Sequence, residues 1–86
     1  MYVILVYDVG VERVNKVLKT CRMYLTWVQN SVLEGEISEA DLIRLRRTLL
    51  EVIDEAADSV SLYLMARRYD DKFVLGKTKG EPSVIL

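Results

Sequence analysis

Histidine is absent from this 86-residue chain. That excludes Ser-His-Asp and Cys-His nucleophilic systems, and it excludes His-ligated zinc or haem. Cysteine occurs once, as Cys21, so no internal disulfide can form. No apolar stretch approaches the roughly 18 to 20 residues that cross a bilayer. The N-terminus lacks the basic start of a signal peptide, and Asp8 interrupts its apolar run early. A cytoplasmic location without membrane association is therefore expected. Any catalysis must rest on carboxylates, tyrosine, basic side chains or a hard metal ion.

What is present is apolar. Hydrophobic residues make up 51% of the chain, which fits a packed globule and not a disordered segment. The length suits one domain, and chains this small often gain stability by oligomerising. The net charge of -1 does not announce a nucleic-acid binder, but the distribution is uneven. Arg13, Lys16, Lys19 and Arg22 gather in one segment, and Arg67 and Arg68 form a second basic spot. Lys72, Lys77 and Lys79 make the tail basic. Such local patches steer a polyanion even when the sum is near zero.

Tyr2 to Tyr7 (YVILVY) is β-branched and aromatic, as in a central buried strand. Asp8-Val9-Gly10 is a turn, after which Val11, Val14, Leu18, Cys21 and Leu25 mark an amphipathic helix. Thr26 to Ile37 (TWVQNSVLEGEI) predicts a short strand and a longer one, with turns or bulges at Asn30-Ser31 or Glu34-Gly35. Ser38 is a good N-cap, with Glu39 and Asp41 in the first turn that follows. Leu42, Leu45, Leu49, Val52 and Ala56 line the second helix, which is predicted to end near Ala57. Ser59 to Met65 (SVSLYLM) alternates as a half-buried strand.

The predicted order is βαββαβ. The expected fold class is α+β and ferredoxin-like: an antiparallel sheet with both helices on one face. Residues 1–65 form that core and residues 66–86 a C-terminal extension. Gly76, Gly80 and Pro82 punctuate the extension between two apolar triplets, 73–75 and 84–86. A core already closed by four strands and two helices has no place for them. A C-terminal strand pairing with the sheet edge of a second copy, at a dimer interface, is the expected use.

Asp8 admits two roles. It is a favoured cap or turn residue directly before a helix. It is also a carboxylate at the end of a central strand, where magnesium is often held by one or two carboxylates with waters and phosphates. Two copies of Asp8 across a two-fold axis would make a better site than one. Glu12 is a candidate second ligand, although a Glu12–Lys16 ion pair suits the spacing better. Tyr7, Tyr24 and Trp27 suit packing. Arg13, Lys16, Lys19 and Arg22 form either a solvated helix face or phosphate contacts. Arg67 and Arg68, after a strand, suit a backbone phosphate. Cys21 falls on the apolar stripe as a small core residue.

The stretches "VYDV" at 6–9, "KVLKTCRMYL" at 16–25, "WVQNSVLEGEIS" at 27–38, "DSVSLYLM" at 58–65 and "GKTKGEPSVIL" at 76–86 carry a likeness. Together they resemble the CRISPR-associated protein 2 family, over essentially the whole chain. The resemblance implies a ferredoxin-like homodimer whose C-terminal strands cross to the partner. It implies Asp8 as the catalytic magnesium ligand, facing its symmetry mate, and endonuclease activity on RNA or double-stranded DNA. It also implies a partnership with the CRISPR-associated integrase in spacer acquisition, with a non-catalytic DNA-holding scaffold as the alternative. Many members carry phenylalanine where this chain has Leu33.

Overall fold

A computed structural model describes residues 1–76. The order is β1 (Tyr2–Asp8), α1 (Val11–Cys21), β2 (Thr26–Gln29), β3 (Val32–Glu36), α2 (Glu39–Val52) and β4 (Ser59–Met65). The sheet order is β2-β3-β1-β4, and all neighbours are antiparallel. This is the ferredoxin-like arrangement, with β1 central as its apolar run requires.

Alternation along β1 divides the sheet into two faces. Val3, Leu5 and Tyr7 point to the helices and join one core with Val17, Cys21, Leu33, Leu42, Leu45 and Leu49. Tyr2, Ile4, Val6 and Asp8 therefore lie on the face away from the helices. Register adds Val32, Glu34 and Glu36 of β3 and Ser59, Ser61, Tyr63 and Met65 of β4 to that same face. Cys21 is fully buried, and burial pushes its thiol up to about 12.

The two helices differ from expectation in detail. The α1 stripe is centred on Val17, which is fully buried, and on Cys21. Val11, taken from the spacing as part of that stripe, sits at its margin in the first turn and is 85% exposed. Helix α2 starts where Ser38 predicts, with Ser38 Oγ accepting from the Asp41 amide at 3.1 Å. It ends at Val52 and not near Ala57. Asp54 stops it: its carboxylate accepts from the Ala56 amide at 3.0 Å, and its carbonyl from the Ala57 and Asp58 amides. Side-chain bonding of this kind diverts the backbone from the helix ladder.

The hairpin turn falls at Asn30-Ser31, where Asn30 has a positive φ of 38°. The bulge lies in β2, between Trp27 and Gln29, and Glu34-Gly35 is regular strand. Gly35 faces Leu25, whose Cδ2 would lie 3.4 Å from an added Cβ, so the helix-side chain packs directly onto the strand backbone there.

After β4 the chain folds back over the helix-free face. Tyr69 packs edge-on against Tyr2, with ring centroids 5.9 Å apart. Phe73 and Leu75 are exposed and Val74 half-buried. The triplet 84–86, expected to form the dimerisation strand, lies outside the described residues.

Candidate metal and nucleic-acid site

Asp8 is the last residue of β1 and pairs in register with Ser59 at the start of β4. It is exposed, on the helix-free face. It does not cap α1. The N-cap is Gly10, and no side chain bonds the helix start there. Within the described residues the Asp8 carboxylate has no hydrogen bond or ion pair, so its oxygens remain available to solvent or a cation. No group of three or more metal-ligating side chains occurs among the described residues. The described residues therefore present Asp8 as a lone candidate ligand, which is within the small number magnesium uses but is a weak site alone.

The work expected of Asp8 at the helix start is done by Asp58. Its carboxylate accepts from the Gly10 amide at 2.8 Å, from Arg13 Nε at 2.5 Å and from Arg13 Nη2 at 2.9 Å. It also accepts from the Asp54 amide at 2.8 Å. Its side chain is only 1% exposed. The Arg13 bonds foremost, with the two amides, hold Asp58 well below the usual carboxylate range despite burial. The short side chain of Asp58 thus ties the β1–α1 loop to the α2–β4 loop. The sequence signal for it was thin: an aspartate directly before a strand, whose partner lies 45 residues away in Arg13.

The basic residues separate into two groups. Arg13 is committed, its third donor going to Glu12 Oε1 at 2.7 Å. Glu12 therefore pairs with Arg13 and not with Lys16. Arg68 lies 5.2 Å from the Tyr69 ring centroid and 6.0 Å from that of Tyr2, and 3.9 Å from Glu34. Arg67 forms an exposed pair with Asp70 at 2.9 Å. Lys16 and Lys19, by contrast, are exposed on α1 and make no ion pair among the described residues. Arg22, exposed just after α1, stands over the Trp27 ring, 5.8 Å from its centroid.

Glu34, only 5% exposed, anchors the far end of the helix-free face. It accepts from the Tyr69 hydroxyl. Burial, with the nearby Glu34 charge, pushes both the Tyr2 and Tyr69 phenols up. Trp27 donates Nε1–H to the Asn30 carbonyl at 2.9 Å, and Tyr7 donates to the same oxygen at 3.3 Å. Both rings, with Tyr24, pack in or against the core. Leu33 is fully buried on the helix side. Leu33 is therefore a core position, on the opposite face of the sheet from Asp8.

A family model described as CRISPR associated protein Cas2 matches residues 1–73. The chain is 51% identical over 87 residues to the CRISPR-associated endoribonuclease Cas2 of Dictyoglomus turgidum, covering 100% of both chains. It is 59% identical over 63 residues to the protein of the same name from Pyrococcus furiosus, covering 73% of this chain and 74% of that one. A crystal structure of cas2 superposes with a TM-score of 0.87 at 46% identity, covering 100% of this chain and 98% of that one. Streptococcus pyogenes Cas2 superposes with a TM-score of 0.71 at 36% identity, covering 77% and 87%. The chain belongs to the CRISPR-associated protein Cas2 family.

Proposed function

We propose that the protein is a magnesium-dependent endonuclease of CRISPR spacer acquisition, acting as a homodimer on RNA or double-stranded DNA. The observation that carries this reading is the Asp8 carboxylate, exposed and unpartnered among the described residues at the end of the central strand. Relatives that match the whole chain are named endoribonucleases, which supports it. The helix-free face, with Ile4, Val6, Val32, Tyr63 and Met65 on it, is the surface on which two copies would meet. Each copy's Asp8 would then lie on the shared side, so that two carboxylates supply the ligands one cannot. Bound there, magnesium would supply positive charge to a phosphoryl group and an activated water. The chain's own part is to fix the positions of the carboxylates from the paired ends of β1 and β4.

The test is cleavage of RNA and duplex DNA by wild type and Asp8→Ala, with magnesium and with chelator. Activity that needs both magnesium and Asp8 supports the reading. Equal cleavage by the two proteins overturns the role of Asp8.

A second reading is a DNA-holding adaptor for the CRISPR-associated integrase, in which Asp8 is dispensable. Lys16 and Lys19, exposed on α1, and Arg22, exposed at its C-cap, favour it, because backbone phosphates are bound by such side chains. Salt-sensitive duplex binding that survives Asp8→Ala would select it. A cytoplasmic site of action suits either reading, and no helix among the described residues is long and apolar enough to cross a membrane.

A further inference from the structure

Asp8 ends β1, and the loop that follows it has little of its own to hold it. Val9 and Gly10 separate it from α1, and α1 begins without a side-chain cap of the usual kind. Gly10 donates its amide instead to Asp58, a residue that lies beside Asp8 because Ser59 and Asp8 are register partners. Arg13, one turn into α1, grips the same carboxylate through two donors. The Asp54 amide closes the set from the α2–β4 loop. Four donors thus converge on one nearly inaccessible carboxylate, and together they lock the strand end, the helix start and the neighbouring loop. Gly10 is part of the lock. A Cβ there would lie 2.5 Å from Arg13 Nη2 and 2.7 Å from Glu12 Oε1, so a side chain at this position would require the ends of those two side chains to shift.

We propose that Asp58 is a positioning residue. Its carboxylate, through the Gly10 amide and the Arg13 guanidinium, fixes the loop that leaves β1 at Asp8 and so sets the affinity of Asp8 for a divalent cation. Arg13 then serves this lock and not a nucleic-acid phosphate. Residues that orient a metal ligand without touching the metal typically change affinity by about 10- to 100-fold when replaced. The proposal rests on the reading of Asp8 as a metal ligand.

The experiment is manganese binding to the full chain, read by electron paramagnetic resonance, with Gly10 amide hydrogen exchange as a second readout. Wild type, Asp8→Ala, Asp58→Asn and Arg13→Gln are compared at neutral pH, well below their melting temperatures. Arg13→Gln leaves the Asp58 carboxylate and both amide bonds in place, so it remains informative if Asp58→Asn does not fold. The expected result is binding abolished in Asp8→Ala and weakened about 10-fold or more in Asp58→Asn. Arg13→Gln should lose several-fold, and Gly10 exchange should quicken in both lock variants. Binding lost in Asp8→Ala but unchanged in every folded lock variant overturns the positioning role alone. Binding equal in wild type and Asp8→Ala overturns the metal reading on which it stands.

Discussion

The Tyr69 hydroxyl donates to Glu34 while its ring stands edge-on to Tyr2, at an interplanar angle of 88°. One side chain from the C-terminal segment thereby bonds β3 and packs on β1. Arg68 beside it faces both rings and the same carboxylate. These contacts tie the segment after β4 to the helix-free face. Tyr69→Ala should destabilise the fold by about 1 to 3 kcal/mol, combining the missing aromatic packing with a buried acceptor left short of a donor. Urea denaturation measures this. Limited proteolysis should cut sooner between residues 66 and 76 in the variant, and unchanged digestion would argue against the tie.

Asp58 predicts the acid limb of stability. Its folded pKa lies below the unfolded carboxylate value of about 3.9. The unfolded chain therefore binds this proton more readily, and the stabilisation is complete above the unfolded pKa. It is lost as pH falls from there through the folded pKa. Melting temperature measured against pH should fall for wild type below about pH 5. Asp58→Asn should melt lower at neutral pH, with a gap that narrows toward strong acid. A constant gap across the range would mean the ion pair with Arg13 does not form.

Leu33 predicts a cost for a phenylalanine in its place. It is fully enclosed beside Leu5, its register partner. Leu33→Phe should destabilise this chain by about 1 to 3 kcal/mol through overpacking. Duplex binding per folded molecule should be unchanged, because the ring enters the helix-side core. A change in binding without a change in stability would place the position at a substrate surface instead.

Lys16, Lys19 and Arg22 predict a salt effect. Replacing all three by alanine should lower the slope of log affinity against log salt for duplex DNA, by about 1 for each phosphate no longer bound. Arg13→Ala, by contrast, should leave the slope unchanged while lowering the melting temperature. Filter binding across a salt series separates the two. An equal change in slope for Arg13→Ala would return that residue to the phosphate-binding set.

Much of the fold was legible because hydrophobic period and capping act locally. The alternation in SVSLYLM, the run in YVILVY and the Ser38 cap each specify an element from within a few residues. Where two local signals compete, the pattern misleads. Ala56 extends the α2 stripe, yet Asp54 ends the helix first. Val11 fits the α1 spacing, yet the fully buried Val17 turns that helix away from it. The candidate site was legible in one half only. Asp8 announces itself by position, since a carboxylate ends an apolar strand. Asp58 does not, because its meaning depends on the β1–β4 register that brings it beside Gly10 and Arg13. Arg13 and Lys16 look alike in the sequence for the same reason; only the fold pairs one of them and leaves the other outward.

Strand β4 ends the sheet on one side, and its seven residues, SVSLYLM, include no charge and no proline. Sheet edges in soluble proteins are usually guarded by one or the other, since bare edges recruit further strands. Tyr63 and Leu64 on this edge are more than half exposed. A preparation in which nothing covers β4 should therefore self-associate through edge pairing as concentration rises, and a lysine at Leu64 should keep it in solution.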